Sequence, residues 1–137
     1  MSDLIRFGVS LEKKLLTQFD SLIQKEYYSN RSEAIRDLIR RELAEKKWEQ
    51  GGECAGAILM VYDHHKRELL HKATDIQHHF QELIISSQHV HLDHDNCLEI
   101  IAVKGGKSAI TTLSSRLKSI IGVKFCTLSI TGTGTGY

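Results

Sequence analysis

The chain has 137 residues, of which 41% are hydrophobic and 26% charged, a composition typical of a globular protein and not of a disordered or membrane-embedded one. Its formal net charge is only +1, so overall charge does not favour a nucleic-acid partner, and any DNA-binding function has to rest on a local pattern. No apolar run approaches the roughly 20 residues that span a bilayer, and nothing at the N-terminus resembles a signal peptide, so we expect a cytoplasmic protein without a membrane partner.

The first pattern along the chain is an alternation of apolar and polar side chains over residues 4–11. A period of two indicates a half-buried strand with one polar face. The side chains of that polar face are those of Arg6, Gly8 and Ser10. From Leu11 to Ile23 the apolar residues recur at helical spacing, which predicts a first helix.

A second helix is predicted to begin after Asn30, a residue type that favours the position preceding a helix, and Glu33 follows three residues later as in a capping box. One strand and two helices in fewer than fifty residues do not close a core, and the strand has no partner within the chain. The same strand of a second copy can supply the pairing. We therefore predict a dimer with a two-stranded antiparallel ribbon, a shape that fits the major groove of DNA.

Residues 46–56 interrupt this pattern and contain Gly51 and Gly52, so we place a domain boundary there and predict domains at residues 1–48 and 54–131. Six elements follow in the order strand, helix, strand, strand, helix, strand. They are expected at residues 57–62, 65–80, 83–92, 97–103, 108–121 and 123–130. This βαββαβ order is the ferredoxin-like arrangement, and the predicted fold class is α+β.

All eight histidines of the chain lie between His64 and His94. Several metal-ligating side chains of the predicted helix over residues 65–80 are three, four or seven positions apart and share its sides. These are His71, Asp75, His78 and His79. Spacing alone does not decide whether they reach the rest of the site within one chain or are delivered by a neighbouring subunit of a symmetric oligomer.

The strongest metal-ligand pattern is a hairpin that carries two histidines and a cysteine. His89 and His91 lie two apart in a strand and share a face, and the turn over residues 93–96 brings Cys97 back beside them. Imidazole and thiolate donors select transition metals and not magnesium or calcium. The neighbouring residues that are expected to face the core are Val90 and Leu92.

Each of these features also has a simpler explanation. A pair of histidines on a surface strand is more often incidental, histidines on a helix usually lie on a solvated face, and a single cysteine is often a small buried hydrophobe. Their combination in one hairpin favours a metal site. A zinc hydrolase is a rival, but catalytic zinc keeps an open coordination position and the chain has no H-E-x-x-H motif.

A second rival is an antitoxin-type or amino-acid-sensing regulator with the same DNA-binding half. That function would leave the histidine and cysteine hairpin unexplained. The ligand types do not decide between nickel, copper, zinc and cobalt, because almost any nitrogen and sulfur site binds copper more tightly than nickel.

The stretch SNRSEAIR, residues 29–36, resembles the second-helix signature of the ribbon-helix-helix DNA-binding domains. The resemblance implies that the polar strand face contacts base edges and that the start of the second helix meets phosphate. The implied DNA-binding residues are Arg6, Gly8, Ser10, Asn30, Arg31 and Ser32. Gly8 departs from the usual polar residue at its position, so sequence readout would depend more on Arg6 and Ser10.

Four segments resemble the nickel-responsive repressors called NikR: residues 30–37, 61–64, 77–79 and 89–99. The last of them, HVHLDHDNCLE, is highly specific. The resemblance implies a homotetramer, a dimer of dimers in which central ferredoxin-like (ACT-related) domains are flanked by two ribbon-helix-helix dimers. It also implies that nickel promotes binding to a palindromic operator in double-stranded DNA, and that the protein is not an enzyme.

The same resemblance implies one Ni²⁺ per subunit in a square-planar site of three nitrogens and one sulfur. The implied ligands are His89, His91 and Cys97 of one subunit and His78 of another, within a hydrogen-bond network of Tyr62, Gln77 and Glu99. Family members also place a second cation, often potassium, near the DNA. The corresponding residues are Glu33 and Asp37, which are equally well spaced to pair with nearby arginines.

Overall fold

A computed structural model describes residues 3–136, so Met1, Ser2 and Tyr137, at the ends of the chain, lie outside the described residues. The chain forms two compact units, one that ends at Glu42 and one that begins at Leu43. The predicted domain bounds 1–48 and 54–131 stay a prediction. Within the described residues, no helix is both long and apolar enough to cross a membrane.

The first unit consists of an irregular segment and two helices. Residues 3–12 form neither helix nor strand, α1 spans Lys13–Lys25, and α2 begins at Arg31 and ends at Glu49. The predicted strand over residues 4–11 is therefore not formed in the single chain. The reason is physical: a strand needs a hydrogen-bonded neighbour, and this segment has no pairing strand among the described residues.

The two helices of the first unit are joined by a short turn in which Tyr27 has a positive φ of 59°. The predicted cap of α2 is present, since the Glu33 N–H donates to Asn30 Oδ1 at 2.9 Å. The side chain of Arg31 donates to both carboxylate oxygens of Asp20 on α1, at 2.9 and 2.8 Å. This bidentate ion pair links the two helices.

The second unit contains a four-stranded antiparallel sheet with two helices. Its elements are β1 (Glu53–Asp63), α3 (Arg67–His79), a 3₁₀ turn at Gln81–Leu83, β2 (Ile84–His91), β3 (Asn96–Gly106), α4 (Lys107–Lys118) and β4 (Val123–Thr131). The strand order is β2-β3-β1-β4. The predicted βαββαβ arrangement is confirmed, although α4 ends three residues earlier than expected, before a turn that leads to Gly122 with a φ of 101°.

The core of the second unit lies between one face of the sheet and the two helices. Its largest fully buried side chains include Tyr62, Ile58, Met60 and Ile101 from the sheet and Ile110, Leu113 and Leu117 from α4. Trp48, near the end of α2, is partly buried and packs against this core. The opposite face of the sheet carries residues such as Leu59 and Phe125, which remain 39% and 71% exposed in the single chain.

Candidate metal centre

The candidate site is built on the hairpin formed by β2 and β3. Its register places His91 opposite Cys97 and His89 opposite Glu99. Cys97 and Glu99 are only 1% and 2% exposed, so the two histidines share the sheet face that the helices cover. Both histidines are nevertheless exposed, and they lie on β2, an edge strand of the sheet.

The prediction that Val90 and Leu92 face the core is wrong. Val90 pairs with Leu98 in the hairpin and lies on the uncovered face of the sheet, and Leu92 is 53% exposed. Alternating apolar and polar residues on an edge strand do not say which face the helices cover. Here the helices cover the sheet face that carries His89, His91 and Cys97.

Two donor atoms of the hairpin lie close enough to share an ion. Cys97 Sγ lies 4.0 Å from His89 Nδ1. A metal with bonds of about 2.3 Å to sulfur and about 2.0–2.1 Å to nitrogen can join atoms up to about 4.4 Å apart. The cross-strand pair of His91 and Cys97 adds a second imidazole on the same face. Residues present in this hairpin therefore fit a transition-metal ion.

A buried carboxylate lies directly behind the hairpin donors. Glu99 accepts a hydrogen bond from the Tyr62 hydroxyl at 2.6 Å on Oε1 and one from Gln77 Nε2 at 2.7 Å on Oε2. Its Oε1 is 3.7 Å from His89 Nε2. Burial and the nearby Glu99 raise the pKa of Tyr62, so its phenol stays protonated and continues to donate. The structure thus brings together Tyr62, Gln77 and Glu99 beside a candidate ligand.

An open cleft of about 430 Å³ lies between α3 and the hairpin, and its lining includes His78, His89 and Gln77. Among residues 3–136, no three histidine, cysteine or acidic side chains converge closely enough to hold a metal ion. The four predicted ligands are therefore not gathered within one chain. His78 is exposed on α3, next to Gln77, and both residues line the cleft.

Three histidines that are not predicted ligands lie together near the β2–β3 turn: His64, His65 and His94. The His64 ring lies 4.7 Å from the His91 ring and 4.0 Å from the His65 ring, and its Nε2 is 2.9 Å from the His94 carbonyl. His65 is paired with Asp63 through a contact of 3.0 Å. The His65 backbone and side chain lower the pKa of Asp63, so this carboxylate is ionised at neutral pH.

The structure also assigns contacts that spacing did not indicate. Asp93 in the hairpin turn accepts hydrogen bonds from the backbone N–H groups of Asp95 and Asn96, and these bonds hold its pKa below the usual range. Lys124 on β4 donates to Asn96 Oδ1 at 2.5 Å. Lys124 follows Asn96 by 28 residues and carries no motif, so no sequence signal links the two.

The predicted DNA-binding residues all lie in the first unit. Arg6, Gly8 and Ser10 are exposed in the irregular segment, and Ser32 is exposed at the start of α2. Asn30 uses its side chain as the helix cap, and the guanidinium of Arg31 is held by Asp20. Any phosphate contact of Arg31 would therefore come from its backbone or require that ion pair to open.

The two carboxylates predicted for a second cation have other partners in the structure. Glu33 lies 3.0 Å from Arg36, and Asp37 lies 3.0 Å from Arg41. Asp37 also accepts a hydrogen bond from the Tyr28 hydroxyl, which raises the pKa of Tyr28. A cation at this position would compete with these arginines.

Comparisons with known proteins agree with this arrangement. The family model of the NikR C-terminal nickel-binding domain matches residues 55–131, and that of the ribbon-helix-helix proteins of the copG family matches residues 5–46. A solved structure of an uncharacterized protein from Thermotoga maritima shares the fold alone, with 16% identity, a TM-score of 0.52, and coverage of 57% of this chain and 96% of that one.

Two relatives assigned as nickel-responsive regulators are similar over nearly the whole chain. The protein of Chlorobium phaeobacteroides is 61% identical over 95% of this chain and 97% of its own length, and that of Syntrophus aciditrophicus is 60% identical over 98% of both. The family is one of regulators and not of enzymes. The chain therefore belongs to the NikR family of nickel-responsive regulators.

Proposed function

We propose that this protein is a nickel-responsive repressor that binds a palindromic DNA operator as a homotetramer, a dimer of dimers. The observation that carries the proposal is the β2–β3 hairpin, which places His89, His91 and Cys97 on one face of the sheet. Imidazole and thiol donors of this kind suit nickel, copper and zinc. The nickel-responsive names of the relatives favour nickel.

The ligand set is proposed to be shared between subunits. His89, His91 and Cys97 of one chain supply three donors, and His78 of another chain supplies the fourth, with one Ni²⁺ per subunit. One finding supports a fourth donor from another chain: His78 is exposed and lines an open cleft, where a second subunit can approach it. Glu99 orients His89 from behind, as carboxylates near ligating histidines do.

The DNA-binding half is proposed to form from two copies of the first unit. The apolar side chains of residues 4–11 are exposed in the single chain, including Ile5 at 88% and Phe7 at 71%. Pairing of two such segments gives a ribbon with a buried apolar face and a polar face that carries Arg6 and Ser10. The N-terminus of α2, from Asn30 to Ser32, then contacts phosphate through its backbone.

Coupling between the two halves requires that nickel bind the DNA-competent state more tightly than the alternative state, since equal affinity shifts no equilibrium. A ligand contributed by a second subunit supplies such a difference. His78 can complete the site only in an assembly that positions two chains correctly.

The bacterial cytoplasm, where the operator lies, is the proposed location.

The first test is an operator mobility shift with nickel and with chelator. We expect nickel to promote binding by the parent protein, and the His78→Ala variant to lose most of this response. His79→Ala is the matched control, because His79 is the adjacent exposed histidine of α3 and is not a proposed ligand. Full nickel-dependent binding by His78→Ala would overturn the shared site.

A subunit-mixing experiment tests the division of ligands directly. The His78→Ala and Cys97→Ala variants each lack one ligand at every site. In mixed tetramers, a His78→Ala chain that retains Cys97 can meet a Cys97→Ala chain that retains His78, so a fraction of sites is intact. We expect mixing to restore nickel binding. If all four ligands belonged to one chain, mixing would restore nothing.

Metal selectivity needs its own comparison, because copper is intrinsically favoured by nitrogen and sulfur donors. The same operator shift is repeated with copper, zinc and cobalt at matched free concentrations. A larger response to one of these metals would replace nickel in the proposal, and a response to none would favour an antitoxin-type regulator.

A potassium site at Glu33 and Asp37 rests on family resemblance, and its test is the effect of potassium on operator affinity in a Glu33→Gln variant.

A further inference from the structure

We propose that Asp93 is a positioning residue of the metal centre, which acts by fixing the β2–β3 turn and thereby the location of Cys97. The inference rests on the proposed function, because the thiol of Cys97 is taken as a metal ligand. Asp93 itself contacts no proposed ligand. Its role follows from the hydrogen bonds of its carboxylate and from the position of the turn that they hold.

The carboxylate of Asp93 accepts hydrogen bonds from several donors of the turn. Its Oδ1 accepts from the backbone N–H of Asp95 at 2.9 Å and from that of Asn96 at 2.8 Å. The Asn96 side-chain amide donates to Oδ2 at 3.1 Å. The Leu92 N–H donates to the Asn96 carbonyl at 2.9 Å and closes the hairpin. One side chain therefore determines the path of the chain from β2 into β3.

The turn is also attached to two other parts of the second unit. The His64 N–H, in the loop after β1, donates to the Asp95 carbonyl at 3.2 Å, and Lys124 on β4 donates to Asn96 Oδ1 at 2.5 Å. The Asn96 side chain therefore links the Asp93 carboxylate to the Lys124 ammonium, and Asn96 also pairs with Asp63 of β1.

Asn96 directly precedes Cys97, which is 1% exposed and lies opposite His91. A change in the backbone of Asn96 is passed to the Cys97 Sγ through the few covalent bonds that join the two residues. Loss of the Asp93 carboxylate leaves two backbone N–H groups to water and allows the turn to adopt other conformations. The thiol and the two imidazoles are then held less firmly in one arrangement.

The test compares three variants of the full-length protein in nickel titrations against a competing chelator. Residues that hydrogen-bond to metal ligands typically contribute 10–100-fold to affinity, and Asp93 acts one step further away, so we expect Asp93→Ala to bind nickel about 10-fold more weakly, at the lower end of that range. We also expect a change in the thiolate-to-nickel charge-transfer absorption. Asp93→Asn keeps one acceptor oxygen in place, so it should retain a large part of the parent's nickel affinity and of its charge-transfer absorption.

Asp95→Ala is the matched control in the same turn. Within residues 3–136, the Asp95 carboxylate contacts only the exposed rings of His94 and His65, at 3.1 and 3.8 Å, and its backbone contacts survive the substitution. It should bind nickel as the parent does. Circular dichroism of each variant without metal reports whether the second unit is folded.

The outcomes separate the inference from the proposed function. If the parent protein does not bind nickel, the proposed function fails. If the parent binds but a folded Asp93→Ala variant keeps its affinity and absorption spectrum, the positioning role is wrong. An equal loss in Asp95→Ala would also overturn it, because the effect would then belong to the turn as a whole and not to the Asp93 carboxylate.

Discussion

The two units of this chain bury their apolar residues to very different extents. Among the described residues of the first unit, 3–42, only Ile23 and Ala34 are buried, while Ile5, Phe7 and Leu38 and most of the other large apolar side chains remain exposed. The described part of the second unit packs a continuous core of thirteen buried residues between its sheet and helices. The first unit therefore has no comparable core in the single chain, and the proposed dimer would supply one. The second unit has its core in a single chain but lacks a complete metal site.

The largest effect is expected from Phe7→Asp. Burying a Phe side chain contributes about 1.5–3 kcal/mol, so a dimer that buries two copies loses about 3–6 kcal/mol. We expect operator binding to be abolished while nickel affinity stays unchanged, as measured by mobility shift and metal titration. Tyr27→Asp is the matched control, since Tyr27 is an aromatic residue with 92% exposure outside the segment. If Phe7→Asp retained operator binding, the first unit would not depend on burying this segment against a second copy, and the contrast between the two units would fail.

A core substitution in the second unit should act on a single chain. Leu113 is fully buried, and Leu113→Ala should lower the free energy of unfolding of this unit by about 2–5 kcal/mol. Urea unfolding of the metal-free protein gives the value. Ile121→Ala, at a position with 88% exposure, should change it by less than about 0.5 kcal/mol. A similar cost for both would contradict the assignment of the core.

Glu99→Gln is expected to weaken the metal site of the second unit without removing its core. The carboxylate accepts from both Tyr62 and Gln77, and the amide of a glutamine would present a donor to one of them. We expect nickel affinity to fall by about 10–100-fold in chelator competition. Gln88→Ala, at an exposed position on β2, serves as the control. Equal affinities in both variants would show that the carboxylate does not support His89.

The smallest effect concerns the ion pair of the first unit and appears as a dependence on pH. The hydrogen bond from Arg31 holds the pKa of Asp20 below its usual value. Such a group stabilises the fold above its unfolded pKa of about 3.9, and this stabilisation is lost as the pH falls through the lower folded value. The melting temperature of Asp20→Asn should lie slightly below that of the parent at neutral pH.

This difference should close only below a pH of about 3.9. A double variant, Asp20→Asn with Arg31→Met, shows whether the two side chains act as a pair. If they do, adding Arg31→Met to the Asp20→Asn variant should lower the melting temperature little further. Independent losses from the two substitutions would mean that the bidentate contact contributes nothing to linking α1 and α2.

Sequence patterns were sufficient where the interactions are local. The Asn30 cap, the order of elements in the second unit and the opposition of His91 and Cys97 all follow from spacing, turn residues and strand alternation. Interactions between distant segments were not predictable. The contact of Lys124 with Asn96 and the pairing of Arg31 with Asp20 depend on how elements pack, which no motif encodes.

Two predictions about apolar residues fared differently. The inward direction of Val90 and Leu92 assumed that apolar residues are covered within one chain, and it was wrong. The strand over residues 4–11 was predicted to pair with a second copy, and it stays a prediction because a single chain does not form that pairing. In the single chain these residues are on the surface, or on a sheet face without helices. Where the final packing involves another copy, the apolar pattern identifies a surface that becomes buried but not the partner that buries it.

The burial of Cys97 also determines which chemical stresses the centre can withstand. Oxidants and alkylating reagents attack an accessible thiolate, and a thiol with 1% exposure between packed strands offers them almost no access. A thiol buried in this way is therefore expected to react slowly with peroxide and alkylating reagents even when no metal is bound, because the fold itself and not a ligand shields it.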